Sequence, residues 1–411
     1  MTTPIETFSA DITAARGFLV DGGTCGLKAS GRKDVGGIVS ERPATAAGTF
    51  TTNKVKAAPV LLCQEVLAKT GGAARAIVFN SGNANAATGA QGLENARTMQ
   101  RLFASGPARQ YDVRPDEVCV SSTGVIGVQL DMGKLERGIQ GLALSREGGQ
   151  NAVEAMMTTD TVQKTAAARF DVDGHAVTVA GMAKGAAMIA PHMATMLAFM
   201  GTDAAVEPSY LQRALKDAVE DSFNMIIIDG DMSTNDSALL LANGTVWPDG
   251  RPPLDGSQPE CATFEAALRS VCDRLAQAMA RDGEGSSKFV EVRVEGAASV
   301  EDARKVARSI AGSNLTKAAV LGADPNWGRI ACAAGYAGAD LDPQAFDIRI
   351  GSVDLVKGGL AISYDESAAS SQMKGREVAI YMHLHLGDAA ATAWGCDLTP
   401  EYVRLNSEYT T

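Results

Sequence analysis

A lone hydroxyl, Thr195, sits between Ala194 and Met196 in the stretch KGAAMIAPHMATMLAF (184–199). Lys184 is the last charge before Asp203, which leaves 18 uncharged residues between them. A threonine hydroxyl is a poor nucleophile without a base beside it. Cutting the Ala194–Thr195 bond would supply one, because Thr195 would then carry a free α-amine. Such an amine has a pKa of about 7.7–8.0, so roughly a quarter to two-fifths of it is neutral near pH 7.5. It can take the hydroxyl proton directly or through a water. The preceding Ala194 is small and would ease attack of the hydroxyl on its own upstream carbonyl. A buried strand–loop–helix accounts equally well for the missing charge, but not for the threonine.

Other patterns that could do chemistry are weaker. The pair His383 and His385 in HLH would place two imidazoles on one face of a strand, with no third metal ligand near in sequence. DGDMSTNDSALL (229–240) begins like a calcium loop but lacks the glycine at position six and the glutamate at position twelve. There is no H-E-x-x-H, G-x-S-x-G, Walker A or G-x-G-x-x-G motif. The uncharged run at 185–202 is long enough to suggest a membrane span, but Pro191 breaks a helix there and His192 is costly in lipid.

The elements that must position these residues read as strands and helices interspersed. Strand-like runs end in turn residues at Ala76–Phe79, at 225–228 and in SSTGVIG, where a glycine turn is expected over 123–127. Alternating segments at 288–296 and 375–388 suggest half-exposed strands. Helical spacing covers 91–104, 208–220, 262–281 and 301–311, with Ser209 cap-like at the start of the second. The Pro/Gly/Asp-rich stretch 246–260 reads as a surface loop. The pattern predicts a layered α/β or α+β architecture.

Composition narrows the function classes. A net charge of −11 with no Lys/Arg block argues against nucleic-acid or anionic-membrane partners. Seven scattered cysteines without a C-x-x-C pair suit reduced thiols in a cytoplasmic setting. The opening residues carry Glu6 and Asp11 and no apolar h-region, so neither a signal nor a transit peptide is expected. At 411 residues with 43 glycines, two lobes or one large layered domain are expected, with many tight turns.

The chain resembles the glutamate N-acetyltransferase / ornithine acetyltransferase family of arginine biosynthesis. Members of that family self-cleave at the A-T bond of K-G-x-G-M-I-x-P-N-M-A-T-M-L. Further blocks match in order: RKDVGGIVSERPATAAGTFTTNKVKAAPV (32–60), NSGNANAATGAQGLENAR (80–97), SSTGVIG (121–127), MTTDT (157–161), SFNMIIIDGDMSTNDS (222–237), RDGEGSSKF (281–289), GADPNWGRI (322–330) and NSEYTT (406–411). The resemblance implies cleavage between Ala194 and Thr195, giving an α chain 1–194 and a β chain 195–411 that assemble as a heterotetramer of two α and two β chains. It implies Thr195 as nucleophile and acetyl carrier, and Thr123 with Gly124 as the oxyanion hole. Thr161, Lys184, Thr195, Glu284, Asn406 and Thr411 would bind substrate, with Lys184 suited to a carboxylate. Glu284 suits an ammonium, although a plain surface glutamate in a glycine-rich turn is the alternative.

The implied reaction is ping-pong transfer of acetyl from N2-acetyl-L-ornithine to L-glutamate, without cofactor or metal. Acetyl-CoA as a second donor is left open. The implied fold is an α-β-β-α sandwich shared with self-processing aminopeptidases, with a smaller second lobe. An N-terminal-threonine amidohydrolase or aminopeptidase on the same scaffold is the alternative activity. Two positions depart from the family pattern: Ala187 replaces its usual glycine, and His192 its usual asparagine. An imidazole at 192 would make processing pH-dependent if it titrates.

Overall fold

A computed structural model of the chain describes residues 4–190 and 196–408. Ala194 and Thr195, His192 beside them and Thr411 lie outside the described residues.

Two sheets stack face to face. A six-stranded sheet runs in the order Glu6–Phe8, Lys164–Val172, His175–Lys184, Leu197–Thr202, Ser237–Ala242, Thr45–Phe50. A four-stranded sheet runs Phe18–Gly23, Val35–Ser40, Ala76–Asn83, Val118–Val125. Their facing side chains form one apolar layer, in which Phe79 meets Phe199 with ring centroids 5.2 Å apart. Ala167, Ala180, Met182 and Leu197 come from the larger sheet, and Val20, Ile38 and Ile77 from the smaller. The small residues let the sheets approach closely. At Gly37 a Cβ would fall 2.1 Å from the Phe103 ring, so the aromatic ring rests on bare backbone there.

Helices close both outer faces. Gly89–Ser105 and Met132–Gln140 cover the smaller sheet through Met99, Phe103, Leu135 and Ile139. Pro208–Glu220 and Glu260–Arg281 cover the larger. In the second of these, Phe264, Ala267, Leu268, Val271, Cys272, Leu275, Ala276 and Met279 are buried, the three-to-four spacing of a one-sided helix. This is the expected helix–sheet–sheet–helix sandwich.

The second lobe is a seven-stranded sheet whose central strands are Ala389–Cys396, Phe289–Ala297 and Glu377–His383. Val290, Val292 and Val294 are buried while Glu291, Arg293 and Glu295 are not, the two-residue period of a half-exposed strand. The helix Val300–Gly312 lies against this sheet, started by the Ser299 side chain accepting from the Asp302 N–H.

Three local expectations change. Ser209 is not the cap of Pro208–Glu220: Glu207 occupies that place, and Pro208 takes the first turn, where its missing N–H costs nothing. The glycine turn expected over 123–127 starts late, since Val118–Val125 continues through Thr123 and Gly124 in parallel pairing with Ala76–Asn83. His383 ends its strand, and His385 lies beyond it at φ 55°. The two imidazoles meet at a tilt of 48° with ring centroids 4.0 Å apart, and His385 Nε2 lies 3.2 Å from Asp347 Oδ2, so an acidic side chain holds the pair. Among the described residues no helix is long and apolar enough to cross a membrane.

Candidate active site

Lys184 ends the strand His175–Lys184 and pairs in register with Leu197, which begins the neighbouring antiparallel strand. The segment carrying Thr195 therefore joins two central strands of the six-stranded sheet. Three carboxylates hold its described ends by accepting backbone N–H groups. Asp160 Oδ1 takes the Gly185 N–H at 2.7 Å. Asp229 takes Met188 at 2.5 Å and Ile189 at 2.9 Å. Asp236 Oδ1 takes Met196 at 3.0 Å. A backbone that must leave a sheet inside the protein needs such acceptors, because buried N–H groups cannot stay unpaired.

A cavity of about 330 Å³ opens beside this segment, and Thr123, Gly124, Lys184, Ala187, Asp229 and Glu284 are among its lining residues. The Lys184 ammonium donates to Thr123 Oγ1 at 3.3 Å. Thr123 and Gly124 come from the end of Val118–Val125, where the smaller sheet meets the larger one. Gly124 has φ 131°, and a Cβ there would lie 2.3 Å from the Gly82 carbonyl carbon. Only glycine lets the two strand ends approach so closely. Asn235 fastens this corner by donating to Ala84 O at 2.6 Å and Ser122 O at 2.8 Å.

The far wall belongs to the second lobe. The Glu284 N–H donates to Ala186 O at 2.8 Å, and Glu284 Oε2 accepts from Asn406 Nδ2 at 2.9 Å. Tyr402, from the same helix as Asn406, lines the cavity, and burial together with Asp229 pushes its phenol well up. Lys184 is therefore the one cation among the lining residues described, facing Asp229, Asp231 and Glu284. A cavity of this size with one cation and several carboxylates can hold an amino acid by both its charges.

Thr161 falls elsewhere. It lines a neighbouring cavity of about 870 Å³ and donates its hydroxyl to Asp282. Thr158, Thr159 and Glu284 border both cavities, so the two adjoin. Burial drives the Lys184 pKa down, opposed by Asp160. Burial drives Asp236 well above the carboxylate range, and raises Asp229 too. Burial would also raise Asp160, but Lys164 and Lys184 outweigh it and hold Asp160 at about 2.

Of the residues that the family resemblance implied, Thr123, Gly124, Lys184, Glu284 and Asn406 line one cavity, but the acids behind them were missed. Asp160 sits one position from the chosen Thr161, and Asp282 two from the chosen Glu284. The signal was the lysine: Lys164 immediately precedes the apolar strand segment TAAARF, and a charge so placed calls for buried partners.

The profile of the ArgJ family matches residues 19–411. The chain is 47% identical to the arginine biosynthesis bifunctional protein ArgJ of Symbiobacterium thermophilum over 411 residues, covering 99% of this chain and 100% of that protein. It is 46% identical to the protein of the same name from Shouchella clausii over 400 residues, 97% of this chain and 96% of that one. Among solved structures, the arginine biosynthesis bifunctional protein argJ of Bacillus halodurans aligns with a TM-score of 0.50 at 41% identity, over 52% of this chain and 100% of that chain. With a profile match and relatives this similar along nearly its whole length, the chain belongs to the ArgJ family.

Proposed function

We propose that this protein is a glutamate N-acetyltransferase of arginine biosynthesis that moves acetyl from N2-acetyl-L-ornithine to L-glutamate through an acetyl-Thr195 intermediate. The observation that carries the reading is the Lys184 ammonium 3.3 Å from Thr123 Oγ1, in an amino-acid-sized cavity that Gly124 and Glu284 also line. The names of the relatives support the pathway.

The steps balance as follows. Thr195 Oγ attacks the acetyl carbonyl while the Thr195 α-amine takes the hydroxyl proton. The oxyanion of the tetrahedral intermediate is met by the Thr123 hydroxyl and the Gly124 N–H, fixed donors that need no reorganisation. The C–N bond breaks, ornithine's nitrogen takes the proton, and acetyl-Thr195 remains. The glutamate amine then attacks this ester, Thr195 Oγ leaves and is reprotonated, and N-acetyl-L-glutamate departs. Lys184 binds a substrate carboxylate, and Glu284, supported by Asn406, faces an ammonium. Thr161, from the adjoining cavity, and Thr411 complete the substrate contacts.

Thr195 becomes N-terminal by self-cleavage after Ala194, giving chains 1–194 and 195–411. The full-length match of the Bacillus halodurans chain to 52% of this one supports a polypeptide divided near its middle. Two copies of each chain form the working heterotetramer in the cytoplasm. The word "bifunctional" in the relatives' names supports acetyl-CoA as a second acetyl donor.

The test is intact mass of the purified protein beside a transfer assay. Two fragments, the second starting at Thr195, and glutamate-dependent release of ornithine are expected. An uncut chain sinks the mechanism, and ornithine release that ignores glutamate means an amidohydrolase.

A further inference from the structure

At and behind the cavity wall lie four buried charges, Lys184 in the lining and Asp160, Lys164 and Asp282 behind it, none more than 8% exposed. Lys164 Nζ sits 2.6 Å from Asp160 Oδ1, 2.5 Å from Asp282 Oδ2 and 3.3 Å from Val162 O. Its three protons are thereby used, and it has none left for a substrate. Asp160 accepts from Lys164 and Gly185 through Oδ1, and from the Thr158 N–H at 3.0 Å through Oδ2. Lys184 differs. Among the described residues its ammonium bonds Thr123 alone, which leaves two protons free.

A buried ammonium needs an anion. The groups facing Lys184 are the carboxyls of Asp160, Asp236 and Glu284 and the cations Lys28 and Lys164. Burial pushes Asp236 up, which weakens it as a counter-charge. Glu284 stands at the half-exposed mouth with Asn406. Asp160 is the ionised interior carboxyl, bonded to the Gly185 N–H next to Lys184 rather than to the ammonium itself. Counted together, two lysines and two aspartates leave the group neutral.

We propose that Asp160 is the positioning residue of the acyl-transfer site: clamped between the Gly185 N–H and Lys164, it fixes the strand end that holds Lys184 against Thr123 Oγ1, and its charge favours the Lys184 ammonium. A hydroxyl that accepts from an ammonium has its single proton left to donate, and donates it more strongly. Lys184 thus sends the Thr123 proton into the cavity as the oxyanion donor, besides binding a carboxylate. This rests on the reading of Thr123 given above.

The sign of the pH effect follows from the charges. Lys184 works protonated. Removing the Asp160 charge lowers the Lys184 pKa further, so activity is lost at lower pH on the alkaline side and returns on acidification. The test measures kcat and KM for N-acetylornithine from pH 6 to 10 in wild type, Asp160→Asn and the charge-balanced pair Asp160→Asn/Lys164→Gln, with folding checked by thermal melts. Asparagine keeps an acceptor for the Gly185 N–H. Asp160→Asn should move the alkaline limb down by about one unit or more, the usual effect of losing a nearby opposite charge. The pair, losing one charge of each sign, should return the limb to within about half a unit of wild type.

A uniform loss at every pH in Asp160→Asn, or a pair whose limb stays as low as the single variant's, overturns the proposal. If the single variant does not fold, the pair decides: a wild-type limb supports the assignment, and a displaced limb defeats it. Failure of the underlying reading shows separately, as a Thr123→Ala variant that alters KM but not kcat.

Discussion

At the scale of single residues, the proposed chemistry rests on two hydroxyls with different tasks. Thr195 is assigned the covalent step and Thr123 the oxyanion. Replacing Thr195 by alanine should abolish both processing and transfer, whereas Thr195→Ser, which keeps a hydroxyl and a latent amine, should retain part of each. A cleaved and active Thr195→Ala protein, seen by mass spectrometry and ornithine release, would mean that another group is the nucleophile. Thr123→Ala removes one oxyanion donor and should lower kcat by about 10²–10³ with little change in KM. Steady-state kinetics on the processed enzyme separates the two parameters.

At the scale of elements, the site depends on how strand ends and helices are made. The strands Ala76–Asn83 and Val118–Val125 approach closely at Gly82 and Gly124. Gly124→Ala would need a Cβ 2.3 Å from backbone at φ 131°. The strand end must move, and we expect a loss of about 3 kcal/mol or more together with loss of transfer. Urea unfolding of Gly124→Ala beside wild type checks this, and unchanged stability would contradict the close approach.

The helix Glu260–Arg281 carries a weak point of the opposite kind. Asp273 has a buried Oδ1 without a hydrogen-bond partner, and burial raises its pKa to about 6, with Arg269 opposing and Asp221 adding. Its value in the unfolded chain is lower. The folded form therefore holds this proton more tightly, and the contribution of Asp273 to stability is fully present at low pH and lost as pH rises through about 6. Asp273→Asn removes this dependence and should stabilise the protein at pH 8 by about 1–3 kcal/mol. Melts at pH 4.5 and 8 give the answer, and a variant no more stable at pH 8 would refute it.

At the scale of the whole molecule, the proposed cleavage point does not separate two folding units. Leu197–Thr202 and Ser237–Ala242 come from the second piece. On one side they pair with His175–Lys184 and on the other with Thr45–Phe50, both from the first. The helix Glu260–Arg281 also packs on Lys164–Val172. The second piece is thus inserted into the sheet of the first, and its release would break two ladders and open the core. The cleaved halves should co-elute as one species in native size exclusion and separate only in denaturant. Two species resolved under native conditions would contradict this interleaving. In this arrangement a cut in mid-chain would leave the cavity intact: Glu284 and Asn406 face Lys184 and Thr123 across the proposed division, held by packing rather than by the chain.

The sequence by itself determined what is local or periodic. The three-to-four spacing over 262–281 and the alternation over 288–296 produced elements almost where they were expected, because burial of one face is written in neighbouring residues. The uncharged surroundings of Thr195, and the blocks around Thr123, Lys184 and Glu284, pointed to the chemistry. Tertiary structure decided the rest. Glu207 rather than Ser209 caps its helix, because Pro208 can occupy the first turn. The strand beyond Ser122 continues because its parallel neighbour supplies partners through Gly82. Above all, the link of Asp282 to Lys164, of Lys164 to Asp160, and the position of Lys184 beside Thr123 join residues up to 118 positions apart. No periodicity encodes such a pairing. It exists because burying the Lys164 ammonium requires carboxylates at hydrogen-bonding distance, and only the folded chain brings Asp160 and Asp282 there together.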